Sequence, residues 1–173
     1  KAKGILVLTV NGEITGSEQF SDSTILPVNF DIVGRDQVEM VGSLIGYEGE
    51  IAILSATTEA PDQNTWIAAM NDTLANDPKY KDMKLVATVY GDDLADKSYR
   101  ETQGLLQTYP DLKAIIAPTT VGILAASQAV TDAGKIGAIN VTGLGLPSEM
   151  AGAVESGATI SFAIWNPIDL GYA

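Results

Sequence analysis

Histidine and cysteine are both absent from this sequence. The chain alone therefore supplies no Ser-His-Asp or Cys-His nucleophilic site and no His/Cys zinc site. Disulfides, thiol redox chemistry and histidine-ligated haem are excluded with them. What remains is carboxylate, Lys, Tyr or hydroxyl chemistry. Basic residues are also few: 10 Lys and Arg stand against 22 Asp and Glu, a net charge of −12. Such an acidic surface repels phosphate backbones, so nucleic acid is not an expected partner. Anionic membrane surfaces are disfavoured for the same reason. No apolar run reaches the roughly 18 residues needed to cross a bilayer, so no direct membrane insertion is expected.

What is present fits one folded domain: 173 residues, 46% apolar and 18% charged, enough to bury a core. Lys1-Ala2-Lys3-Gly4 runs straight into a strand-like segment with no signal peptide, and Pro167–Ala173 reads as a helix without a C-cap. Both ends read as cut from something longer.

Apolar periodicity sets the elements. Ile5–Val10 reads as a buried strand ended by Asn11-Gly12, and residues 11–24 as a polar loop. Ile25–Phe30 is a further strand, made irregular by Pro27. Val33, Gln37, Val38, Val41, Leu44 and Ile45 recur at helical spacing over Val33–Ile45, and Gly46 closes that helix. Strands then alternate with helices: Ile51–Ala56, helix Asp62–Ala75, Leu85–Tyr90, helix Leu94–Thr108, Ala114–Ala117, helix Val121–Ala133, Asn140–Leu144, helix Pro147–Ser156, and Ile160–Trp165 before a final helix at Asn166-Pro167. Short apolar strands alternating with amphipathic helices mean parallel βαβ units. The fold class is α/β, a doubly wound parallel sheet with right-handed crossovers.

Such sheets bind ligands beyond the carboxyl ends of their strands. The candidates are then Asn11 to Glu13, Thr57 to Asn64, Gly91 to Asp93, Pro118 to Thr120, Gly145 to Pro147, and Trp165-Asn166. Gly143-Leu144-Gly145-Leu146 opens like a dinucleotide fingerprint but lacks its third glycine, so it reads as a tight βα turn. No phosphate loop occurs, and no cofactor or metal is expected. Asp92-Asp93 could sit in an acidic magnesium or phospho-acceptor pocket, but no lysine follows any strand. The plainer reading has Asp93 capping the next helix. Paired carboxylates for glycoside hydrolysis stay open, because separations are not visible in sequence. Trp66, beside Ile67 and Met70, reads as core. Trp165 falls at the binding edge beside an amide, where a pyranose face packs on indole and hydroxyls pair with Asp, Asn and Gln. Asp62-Gln63-Asn64 joins an acceptor, two amides and a helix start; Asp62 serves there as N-cap, as ligand residue, or as both.

The stretch Gly46–Ala173 resembles the type I periplasmic sugar-binding proteins of ABC transporters, most nearly the rhamnose-binding and autoinducer-2-binding branch. The strings that carry it are IGYEGEIAILSATTEAPDQNTWI, YPDLKAIIAPTT, VTGLGLPSEM and SFAIWNPIDLGYA. The resemblance implies two flavodoxin-like lobes joined by three crossings, with sugar bound between them and a membrane permease as partner. It implies a periplasmic location, or a lipid-anchored extracellular one in a Gram-positive source. On that template residues 1–32 are the end of the first lobe and a hinge crossing, 33–165 the second lobe, and 166–173 the start of the return.

Ligand positions carry over singly. The family's acidic-amide pair falls on Asp62 and Gln63, and its Ala-Pro-x-x loop on Pro118 and Thr120. Trp165 and Asn166 fall on a hinge-proximal pair bordering the cleft. The branch usually has a Trp-Asp-Ser-Asp-like string after its hinge strand, whose first Asp bonds the ligand. Here the string is Val10-Asn11-Gly12-Glu13, so Asn11 keeps an acceptor and a donor but brings no carboxylate. The implied role is non-enzymatic binding of a small sugar, rhamnose-like, ribose-like or autoinducer-2-like. The alternatives are a carboxylate-dependent enzyme on a flavodoxin-like fold and the sugar-sensing core of a LacI-like regulator.

Overall fold

The computed structural model describes residues 3–12, 16 and 18–172. Glu13, a candidate above, lies outside the described residues. Four parallel strands form the main sheet: β3 (Glu48–Ser55), β4 (Asp82–Tyr90), β5 (Leu112–Ala117) and β6 (Asn140–Gly143), in the order β4-β3-β5-β6. The expected doubly wound parallel sheet is present. Side chains alternate across β3, which sends Ile51 and Ile53 to one face and Ala52 and Leu54 to the other. All four are fully buried, at about 1.5–3 kcal/mol for each large one.

The helices divide between those faces. Val38 and Val41 of α1 (Val33–Ile45) and Trp66 and Met70 of α2 (Pro61–Asn76) pack with Ile51 and Ile53. Leu105 of α3 (Ala95–Thr108), Ile123 and Val130 of α4 (Thr120–Asp132) and Met150 of α5 (Pro147–Glu155) pack with Leu54 and Ile115. α1 and α2 cross closely at Gly34, where an added Cβ would lie 2.5 Å from Ala69 Cβ. The predicted bounds of α1 hold, and Gly46 closes it in the left-handed conformation at φ 73°.

Four expectations are corrected. Ile5–Val10 is not a buried strand: β1 is only Leu8–Val10, and Leu6 and Leu8 are 72% and 52% exposed. Its partner is the parallel β2 (Ser23–Ile25), which takes Ser23 and Thr24 from the segment read as loop and only Ile25 from the strand read over Ile25–Phe30, and Pro27 bars β2 from continuing as read. β1 and β2 form a two-stranded sheet of their own, apart from the main sheet, so β1 gains little burial. Ile160–Trp165 is likewise no full strand. It has one backbone bridge, Leu144 to Ala163, where Ala163 N donates to Gly143 O at 2.8 Å, and Thr142 Oγ1 of β6 donates to Ser161 O at 2.8 Å. Pairing stops there because β6 ends and the chain turns into α5 at Pro147. Lastly, α2 has Ala60 as N-cap and Pro61 in its first turn, with no side-chain cap. Asp62 is therefore not the capping residue. A further short helix, α6 (Pro167–Tyr172), follows the bridge.

Candidate functional site

The crossovers leave β3 and β5 on opposite faces. α2 carries the chain from β3 to β4 on one side, and α4 carries it from β5 to β6 on the other. Two neighbouring strands whose connections diverge open a crevice at their carboxyl ends. A pocket of about 270 Å³ lies there. Its polar lining is Asn11, Asp62, Gln63, Asp93, Thr119 and Thr120, and its apolar lining is Pro27, Val28, Trp66, Pro118, Val121, Leu144 and Trp165. The residues following β1, β3, β4, β5 and β6 all reach it, together with the bridge segment.

Each polar group is held by its local structure. Gln63, one turn into α2 and 7% exposed, points back at the end of β3. Its Oε1 accepts from Ser55 Oγ at 2.6 Å and from Ala56 N at 2.8 Å. Oxygen and nitrogen are thereby told apart, and Nε2 is left without a partner among the described residues. Thr119 caps α4, its Oγ1 accepting from Gly122 N at 2.9 Å. Thr120 Oγ1 accepts from Leu146 N at 3.1 Å, which ties the β6–α5 turn to the start of α4. That turn is close-packed: at Gly143, φ 142°, an added Cβ would lie 1.9 Å from Ala117 O. This accounts for the glycine, and no dinucleotide motif is needed to explain it.

The apolar wall is aromatic. Trp66 packs edge-on against Phe30, with ring centroids 5.6 Å apart at 89°. It is 4% exposed, and its Nε1 is buried without an acceptor among the described residues. Core and pocket are thus both its surroundings. Trp165 is half-buried against the same cluster.

Of the residues singled out from sequence, Asn11, Asp62, Gln63, Pro118, Thr120 and Trp165 line this one pocket. Asn166 does not. Its Oδ1 accepts from Ile168 N at 3.0 Å and its Nδ2 donates to Asp169 Oδ2 at 2.7 Å, closing the first turn of α6. Sequence reasoning placed Asp93 at the binding edge but read it as a cap. The N-cap of α3 is Leu94, with no side-chain cap. Asp92 and Asp93 both take left-handed backbone, φ 53° and 54°. Asp92 pairs with Lys97 Nζ at 2.6 Å, while Asp93 lines the pocket. Two consecutive left-handed aspartates leave no pattern that a periodicity reading would detect. Among the described residues, no group of three or more Asp or Glu is placed to hold a metal ion. No helix of the described residues is long and apolar enough to cross a membrane.

A family model described as a periplasmic binding protein domain matches residues 1–173. The chain belongs to the periplasmic binding protein family. The D-allose-binding periplasmic protein of Escherichia coli (strain K12) is 30% identical to it over 141 residues, 80% of this chain and 44% of that protein. The structure of a sugar ABC transporter from Actinomyces odontolyticus ATCC 17982 is 43% identical with a TM-score of 0.86, covering 99% of this chain and 54% of that one. An ABC transporter solute-binding protein from Clostridium phytofermentas, solved with bound L-rhamnose, is 34% identical with a TM-score of 0.90, covering 98% and 53%. The chain therefore spans about half the length of these relatives.

Proposed function

We propose that this chain is the sugar-binding lobe of a solute-binding component of an ABC importer, and that it binds without catalysing a reaction. The observation that carries the reading is the convergence of Asn11, Asp62, Gln63, Pro118, Thr120 and Trp165 on one pocket at the switch point of the sheet. A carboxylate and two amides offer acceptors and donors for vicinal hydroxyls, and indole offers an apolar face for ring C–H groups. The ligand is a small sugar, rhamnose-like, ribose-like or autoinducer-2-like. The L-rhamnose held by the 34% identical relative supports the first of these.

In this reading residues 33–165 form the lobe, 1–32 lead into it from a first lobe through a hinge crossing, and 166–173 lead back. The first lobe closes over the sugar, and the surface around the cleft docks on a membrane permease. The setting is the periplasm, or the outer face of a Gram-positive cell through a lipid anchor. Asn166 acts beside the cleft by fixing α6.

Titration calorimetry of the full-length protein with L-rhamnose, D-ribose, D-allose and autoinducer-2 tests this. Saturable binding of one of them, weakened about tenfold or more by Asp62→Ala, is the expected result. Absence of binding to all four, or turnover of a bound sugar, would overturn the reading.

A further inference from the structure

Two stretches of backbone reach the pocket from outside the main sheet. The first follows β2: Pro27 and Val28 line the pocket, and Phe30 comes just after them. The second is the bridge segment, which reaches the pocket at Trp165. Val28, Phe30, Ala163 and Trp165 all pack on one cluster, the cluster that contains Trp66. Trp66 also lines the pocket. One indole thus belongs both to the pocket wall and to the cluster on which the two stretches rest.

Phe30 makes the best-defined of these contacts. Its ring meets Trp66 edge-on, with centroids 5.6 Å apart at 89°, an arrangement that aromatic pairs favour. Phe30 itself is not in the pocket lining. Its backbone sits in a hydrogen-bonded turn, where Asn29 O accepts from Ile32 N at 3.3 Å and from Val33 N at 3.1 Å, and Asn29 Oδ1 accepts from Asp31 N at 3.0 Å. That turn opens α1, so a shift of the Phe30 ring is passed to the backbone entering the helix. Trp66 Nε1 is buried without an acceptor among the described residues. The indole is therefore positioned by what packs against it, with no hydrogen bond pinning it.

We propose that Trp66 and Phe30 form a relay that couples occupancy of the pocket to the angle between the lobes. Both act as positioning residues. The assignment rests on the two-lobe, sugar-binding reading above, in which the two stretches are the crossings, and it adds how a filled pocket is felt there. A ligand against the pocket side of the indole fixes the ring. Phe30, edge-on against it, takes up the displacement, and the turn at Asn29 carries it into the crossing. Close-packed interiors pass on such displacements because they hold little free volume to absorb them, and small shifts at a site become hinge motions in this way. A loosened relay lowers the fraction of closed protein, and apparent affinity falls with that fraction.

The test is calorimetry and small-angle scattering of the full-length protein, with whichever of L-rhamnose, D-ribose, D-allose and autoinducer-2 the wild type binds. Saturating ligand is expected to reduce the radius of gyration of wild type. Phe30→Leu removes the ring edge while keeping an apolar side chain of similar size, a kind of exchange that cores tolerate. It is expected to weaken binding about fivefold or more and to leave the saturated protein less compact than saturated wild type. Phe30→Met should behave likewise and guards against a folding defect. Leu74→Ala lies on the same helix as Trp66 and packs on the same cluster, outside the pocket lining. It should lower the melting temperature yet bind and compact as wild type, which separates a relay from a general loosening of the cluster. Phe30 variants that bind and compact as wild type, a Leu74→Ala that weakens binding as much as they do, or a wild type that binds without compacting would each overturn the relay and leave the sugar-binding reading standing. A wild type that binds none of the four ligands would defeat the relay and count against the reading as well.

Discussion

The Ser55 hydroxyl donates to Gln63 Oε1 at 2.6 Å, joining the last residue of β3 to the first turn of α2. Both side chains are buried. Removing the hydroxyl leaves Oε1 with Ala56 N alone and frees the amide to rotate. Ser55→Ala is expected to lower unfolding free energy by about 1 kcal/mol, measured by urea denaturation, and to weaken sugar binding several-fold although Ser55 does not line the pocket. Unchanged binding would mean that Ala56 N alone orients the amide.

Gly143 and Gly152 should respond oppositely to alanine. At Gly143 the new Cβ would lie 1.9 Å from Ala117 O, on backbone at φ 142°. Gly143→Ala is therefore expected to cost more than about 3 kcal/mol or to abolish folding. Gly152, inside α5, has open space around its Cβ position, so Gly152→Ala should gain about 0.5–1 kcal/mol. Thermal melts of the two variants check the pair; a stable Gly143→Ala would contradict the close packing of β6 on β5.

Trp66 buries an indole N–H with no acceptor among the described residues. Trp66→Phe deletes that donor and keeps a ring against Phe30. Relief of the unmet hydrogen bond, about 1–3 kcal/mol, offsets the lost apolar area. The variant is expected within about 1 kcal/mol of wild type, whereas Trp66→Ala should cost about 3–5 kcal/mol. A comparable loss in both would show that the N–H has a partner in solution.

Glu39 of α1 accepts from Lys79 Nζ at 2.6 Å and from the hydroxyls of Tyr80 and Tyr47. The Lys79 ammonium first, then the two hydroxyls, hold its carboxyl down from 4.5 to about 2. A lowered folded-state value means that the ionised form stabilises the fold at neutral pH. That contribution fades as pH falls from about 4.5 toward 2. Glu39→Gln should therefore melt lower than wild type at pH 7, with the gap closing as pH falls through that window. A gap independent of pH would assign the effect to packing. With the Lys79 and Glu39 side chains 46% and 42% exposed, their ion pair should also weaken with added salt.

The four main strands, their intervening helices and the parallel, doubly wound order were legible because their signals are local: apolar runs such as AIIA, amphipathic spacing as in α1, and glycine at its end. Where the reading failed, the deciding partner lay elsewhere. Ile5–Val10 looks buried by composition, but burial needs a neighbour, and Leu8 meets only β2. Ile160–Trp165 has strand composition and one bridging residue, Ala163. In the pocket, residues directly after strands were found by topology alone. Asp93 was found too, but its role was misread, since whether an aspartate caps a helix or turns away depends on a backbone angle that composition does not encode. Asn166, three residues from Asp169, had a cap partner within reach that outweighed its place at the binding edge.

The strand order β4-β3-β5-β6 also bears on how the chain assembles during synthesis. β3 leaves the ribosome first of the four and presents two open edges. β4 takes one, β5 the other, and β6 extends the edge of β5. No strand has to be wedged between two neighbours already paired, so the sheet grows outward from its centre in the sequence in which it is made. Parallel pairing is slow because long loops must close first, and here only β5 has to reach past an intervening strand, β4, to find its partner. Nascent chains stalled once Ala117 has emerged should already shield β3 from protease, well before the residues of β6 exist.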